Sequence, residues 1–223
     1  RVRRDAKERV RELQAVNVVK LPNGLNFKQQ TVICKQMCAL YNAKAIVIDI
    51  NGLGKGLLDY MLDRKMLDDG TELEPYDMIN TDYRSDYRDA KKLVYGIEAQ
   101  KNNSEMITNF INVVEGSILR ILEHFDVNKA LDIPDEDFMV SDVLPFLRTE
   151  NFISEVQNIT VETIPGTGKL KIGQVVKADK DIYSATIQVC WYVMAFCNDA
   201  LPDEDEDFAS FFSGFISQPK IKR

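Results

Sequence analysis

The sequence is short of the residues that most often build zinc and disulfide sites. It has one histidine, His124, and four cysteines, Cys34, Cys38, Cys190 and Cys197. No two cysteines form C-x-x-C, and two sulfur ligands cannot close a tetrahedral zinc site. A chain of 223 residues is too large to need a disulfide scaffold. The cysteines are therefore expected as buried free thiols, as suits a reducing compartment. His124 stands at a predicted helix end, where a carboxyl-terminal capping role precedes a catalytic one. Long apolar runs are missing too. The longest, Ile182 to Cys197, is interrupted by Ser184, Thr186 and Gln188, so no membrane span is expected. No signal peptide is visible. Positive balance is also lacking: 28 basic against 35 acidic residues leave a net charge of −7. Nucleic-acid-binding domains are usually basic. Any such role here must rest on a local basic surface, while an acidic balance suits a site that holds cations.

What is present supports a folded α/β chain. Hydrophobic residues make up 45%, enough for a core. The opening, Arg1 to Leu21, reads as two strands around a polar turn, with Val16, Val18 and Val19 in the second arm. A helix is the competing reading of its first half. Pro22, Asn23 and Gly24 make a turn. Phe27 to Tyr41 follows with Phe27, Ile33, Met37 and Leu40 near helical spacing. The run A-I-V-I-D-I reads as a strand buried on both faces. The glycine-rich N-G-L-G-K-G and a helix bearing Leu57, Leu58, Met61 and Leu62 come next. Asp68 to Tyr87 is polar and tyrosine-rich and reads as a loop. K-L-V-Y-G-I-E-A returns as a strand. Asn103, Ser104 and Glu105 are placed to cap a long helix, with Met106, Phe110, Val113, Val114, Ile118, Ile121 and Leu122 on its inner face. Asp126 to Asp142 is acidic and irregular. A helix near Leu144 to Asn158 precedes a β-hairpin around Pro165 to Gly168. An apolar helix then opens at Asp179-Lys180-Asp181. We place the main domain at residues 1–201 and an acidic, then aromatic, tail at 202–223. Alternating strands and helices predict an α/β fold with a mixed sheet.

Chemistry has few places to sit. Asp49 is a carboxylate in an otherwise apolar strand, costly to bury without a partner. It lies at the strand's carboxyl end, where open α/β sheets bind ligands. It could equally cap the turn through backbone N–H groups. Two nucleotide motifs fail: G-x-G-x-x-G would need glycine at Leu57, and a phosphate loop would need Gly at Thr163 and Ser or Thr at Leu170. Asp179 and Asp181 open the apolar helix, where acids favour the helix dipole. Either could instead share a cation with Asp49, since carboxylates from separate elements can clamp two magnesium ions for in-line phosphoryl displacement. Lys55 and Lys101 are the basic residues best placed to bring phosphate to an acidic cleft.

Three segments carry a resemblance. A-I-V-I-D-I-N-G-L-G-K-G-L-L-D-Y-M is similar to the second acidic motif of phage terminase large-subunit nucleases. V-Y-G-I-E-A-Q-K-N-N-S-E-M-I-T-N-F resembles a strand-to-helix segment of one branch of that family. A-D-K-D-I-Y-S-A-T-I-Q-V-C-W-Y resembles the third acidic motif. Their order and spacing agree over roughly Val16 to Phe196. The resemblance implies a ribonuclease H-like mixed sheet flanked by helices. It implies an endonuclease that hydrolyses double-stranded DNA with two Mg2+ or Mn2+ ions. Asp49 would be the second metal-binding acid and Asp181 the third, with Asp179 as its alternative. Portal protein and terminase small subunit would be partners, and the host cytoplasm the location. The family's first acid has no counterpart, because its strand precedes the hairpin. The chain opens on Arg1, so an upstream strand carrying that acid is expected. A gap should then separate the Val16–Lys20 arm from the Ala45–Ile50 strand. Two other functions compete: another ribonuclease H-like nuclease, such as a junction resolvase, and a docking module that keeps the fold without catalysis.

Overall fold

A computed structural model describes residues 1–6, 9–51, 54–122 and 140–197. His124, most of the acidic stretch from Asp126 and the 202–223 tail lie outside them. Strands β1 (Val2–Arg4) and β2 (Val10–Gln14) form the expected antiparallel hairpin. Asp5 closes its turn, accepting from the Arg9 backbone N–H at 3.0 Å and from the Arg11 guanidinium at 3.0 Å. The second arm is Val10–Gln14, not Val16–Lys20. Val10 and Leu13 are buried, whereas Val16 is 47% exposed. Burial chose the arm, not the density of β-branched residues.

Asn26 caps helix α1 (Phe27–Leu40): it accepts from the Gln29 N–H at 3.0 Å while the Gln29 side chain accepts from its own N–H at 3.0 Å. The buried face of α1 is not the expected stripe. Leu40 is 77% exposed, while Thr31 and Lys35 are fully enclosed. Strand β3 (Ile46–Asp49) and helix α2 (Gly54–Leu62) follow. Strand β4 (Lys65–Met66) comes next, and the loop expected at Asp68 to Tyr87 holds two further short strands, β5 (Glu72–Leu73) and β6 (Tyr76–Met78). Strand β7 (Lys91–Ile97) lies between β3 and β6, and all three run parallel. Of β3 only Ile48 is fully buried, so it is an edge strand rather than one covered on both faces. The fully buried strand is β7, over Val94 to Ile97.

Gly96 in β7 has a steric reason. A Cβ there would meet the Met78 side chain at 2.8 Å. Its N–H and C=O both bond the Asn80 side-chain amide, at 3.0 and 2.8 Å, so one amide extends the ladder beyond β6.

Helix α3 (Ala99–Glu115) starts a turn earlier than Asn103. Ser104 therefore lies inside it and accepts from the Leu170 N–H at 2.9 Å instead of capping. Met106, Phe110 and Val113 face inward as expected, but Val114 does not. Strand β8 (Leu119–Arg120) pairs parallel with β2. Helix α4 (Val140–Gln157), the hairpin β9 (Ile159–Thr163) and β10 (Leu170–Gln174), and helix α5 (Asp181–Phe196) complete the order. The fold is mixed α/β. Among the described residues its main strands form two three-stranded sheets, β1-β2-β8 and β3-β7-β6, which share no hydrogen-bonded pair. One core joins them through side chains: Val10 and Leu13 of one sheet and Tyr95 and Ile97 of the other pack with α3 and α5. All four cysteines are free thiols as expected, but only Cys190 is buried; Cys34, Cys38 and Cys197 are partly exposed. No described helix is long and apolar enough to cross a membrane.

Candidate functional site

Asp49 ends β3, and Ile97 of β7 lies opposite it in register. The chain leaves β3 by folding back on itself. A Cβ on Gly54 would come within 1.6 Å of the Asp49 carbonyl oxygen, so only glycine fits. Gly56 is similarly pinned, since a Cβ there would meet the Phe27 ring at 2.6 Å. This tight return puts the first turn of α2 beside the end of β3. One Asp49 carboxylate oxygen accepts from the Asn51 N–H at 3.0 Å and from the Ala99 N–H at 3.5 Å. Asp49 thus fills the turn-capping role and also ties the end of β3 to the start of α3.

The Ala99 bond brings in an acid that the sequence reading passed over. Glu98 stands one residue beyond the position paired with Asp49, at the junction of β7 and α3. Acids therefore stand at the ends of adjacent parallel strands, but one register position apart, which on alternating strands directs their side chains to opposite faces of the sheet. The signal was in the sequence: both I-V-I-D-I and V-Y-G-I-E put an acid at the end of an apolar strand. Glu98 is ion-paired to Lys101 one turn later. Lys55 is exposed on the first turn of α2. Both lysines thus sit on the helices that begin beside Asp49, but Lys101 is occupied by Glu98.

Asp179 and Asp181 have other surroundings. Asp179 is exposed and accepts an ion pair from Lys20 at 3.2 Å. Asp181 is exposed on the first turn of α5. Glu155 of α4 covers that helix start, accepting from the Tyr183 N–H at 2.8 Å. Burial is the main reason its carboxyl is held above the usual range, with Asp181 adding repulsion. The Tyr183 ring stands 5.4 Å from that of Phe110. Phe110 lies eleven residues beyond Ala99, or about 16 Å along α3. The far end of α5 is the one near the β3–β7 strand ends: the rings of Tyr192 and Phe196 lie 4.8 and 5.1 Å from that of Tyr95. No hydrogen bond or ion pair joins Asp49 to Asp179 or Asp181 among the described residues.

Among the described residues, no three His, Cys, Asp or Glu side chains are grouped to hold a metal ion. Asp49 and Glu98 alone do not supply the anionic oxygens that two magnesium ions require. Compared with models of protein families, with curated proteins and with solved structures, the chain matches none.

Proposed function

We propose that this chain is the nuclease domain of a phage DNA-packaging terminase. In that role it would hydrolyse double-stranded DNA with Mg2+ or Mn2+ on a ribonuclease H-like sheet. The observation that supports it best is the placement of Asp49. It ends a parallel strand that leads into a tight glycine turn, with Lys55 exposed on the adjoining helix turn. Ligands of α/β sheets bind at that end. On this reading the chain's acids are only part of the donor set. Strand β3 pairs with β7 alone and β1 with β2 alone, so each has an edge that meets no strand among the described residues. A further strand bearing an aspartate along the free edge of β3 would add an acid at that end of the sheet. The gap expected beside the second hairpin arm is absent, because β2 is paired with β1 on one side and β8 on the other. Portal protein and terminase small subunit would be partners of the whole enzyme.

The test is nicking of duplex DNA with Mn2+ by a form of the protein extended upstream of Arg1. Asp49→Asn should lower it on the order of 100-fold or more, because a metal ligand contributes several kcal/mol. Undiminished cutting by Asp49→Asn would refute the proposal. A second reading, a docking module without catalysis, is favoured by the separate surroundings of Asp49 and Asp181. It predicts no nicking by the extended form with either metal.

A further inference from the structure

The strongest unexplained feature lies at the other end of the parallel strands. A cavity of about 650 Å³ opens where β6 and β7 begin and just before β3. Its walls include four lysines, Lys35, Lys44, Lys91 and Lys92, and two glutamates, Glu72 and Glu74. The glutamates are already used: Glu72 pairs with Arg64 at 2.8 Å, and Glu74 pairs with Lys91. Lys35, Lys44 and Lys92 have no carboxylate partner among the described residues. In a chain of net charge −7, this is a local concentration of positive charge, offset in part by Asp63 and Glu74, whose carboxylates act on Lys35.

Lys35 makes the cavity more than a cluster of surface lysines. Its side chain is 1% exposed. The ammonium donates to the backbone carbonyls of Asp63 and Glu74 at 2.5 and 2.7 Å and lies 5.0 Å from the centre of the Tyr76 ring. An ammonium has three donors, and the third has no hydrogen-bond partner among the described residues. Burial lowers the amine to about 8, against the opposing effect of the Asp63 and Glu74 carboxylates, with Lys65 lowering it further. A buried ammonium with a spare donor beside a cavity is further stabilised by an anion. The volume suits a small molecule rather than a polymer surface. Buried Leu73 and Tyr76 add an apolar wall for its uncharged part.

We propose that this cavity binds a small phosphorylated metabolite, its phosphate held by Lys35, Lys44 and Lys92 and its organic part against Leu73 and Tyr76. The site is separate from the Asp49 end of the sheet and does not depend on the nuclease reading. The test is calorimetric titration of the chain, at low ionic strength, with inorganic phosphate, adenosine monophosphate and a short DNA duplex. Adenosine monophosphate should bind at least tenfold more tightly than inorganic phosphate. The double variant Lys44→Glu/Lys92→Glu, at two exposed positions, should weaken it at least tenfold, while Lys171→Glu on the distant β10 leaves it unchanged. In spectra of the lysine amino groups, adenosine monophosphate should move the Lys35 signal. Three results would each overturn the proposal: no binding of either small anion, equal binding by the double variant, or duplex bound through these lysines while adenosine monophosphate is not.

Discussion

Single residues decide the two ends of the parallel sheet. Gly54 holds the Asp49 end, because its missing Cβ lets the chain return onto the Asp49 carbonyl. Gly54→Ala forces backbone movement and should cost about 1–3 kcal/mol, the range for overpacking a closed site. Urea unfolding would measure it, and an unchanged midpoint would show that the turn can open without cost. Lys35 holds the other end. Lys35→Met keeps the side-chain volume but leaves the carbonyls of Asp63 and Glu74 without their donor. At about 1–3 kcal/mol for each unsatisfied group, the loss should be on the order of 2–5 kcal/mol. A midpoint equal to that of the parent protein would mean that water replaces the amine and that the ammonium has no structural part.

At the scale of elements, helix starts are the points where packing depends on named partners. Asn26 and Gln29 satisfy each other's N–H at the head of α1. Asn26→Ala should destabilise by about 1 kcal/mol, the usual value of such a cap. Glu155 serves α5 from another helix. Glu155→Ala should therefore loosen both helices, seen as faster amide exchange at Ile182 and Tyr183 and in the α4 residues around position 155. Exchange confined to α4 would show that α5 does not need this cap. The helices themselves were largely legible in the sequence. The starts of α1 and α5 and the apolar positions of α2 agree with their expected periodicity. Boundaries and faces were less legible. The α1 stripe was read from Ile33, Met37 and Leu40, but the neighbours of α1 buried Thr31 and Lys35. The loop expected at Asp68 to Tyr87 supplies β6, because β7 offers that segment a free edge.

For the whole molecule, pH should act from the alkaline side. Burial pushes the Tyr183 hydroxyl and the Cys190 thiol up to about 12, from ordinary values of 10.0 and 9.0. It pushes Cys38 up to about 11, with Cys34 adding to the effect. Folded values above unfolded ones mean that this stability is full below about pH 9 and is lost as pH rises toward 12. Lys35 has the opposite sign. Lowered from 10.5 to about 8, its burial penalty is relieved between those values as pH rises. The thiols and phenols outnumber it, so net stability should fall above about pH 9. Thermal melts of the parent and Cys190→Ala from pH 8 to 11 would check this. The variant should show a shallower decline, and parallel curves would rule Cys190 out.

The sequence by itself determined the helices, the two hairpins, strands β3 and β7 and the mixed α/β class, because periodicity and turn residues act over a few neighbours; it did not mark the short strands β4, β5, β6 and β8. It also marked Asp49 as a strand-end acid and the cysteines as free thiols. Only tertiary structure decided what surrounds Asp49. Pairing of β3 with β7 brings the Ala99 N–H to its carboxylate across fifty positions, while ring packing at the two ends of α5 gives Asp181 other neighbours. Tertiary structure likewise buried the Lys35 amine beside the cavity where β6 and β7 begin. Which carbonyls accept its protons depends on segments 28 and 39 residues away, and no local pattern encodes contacts at that separation.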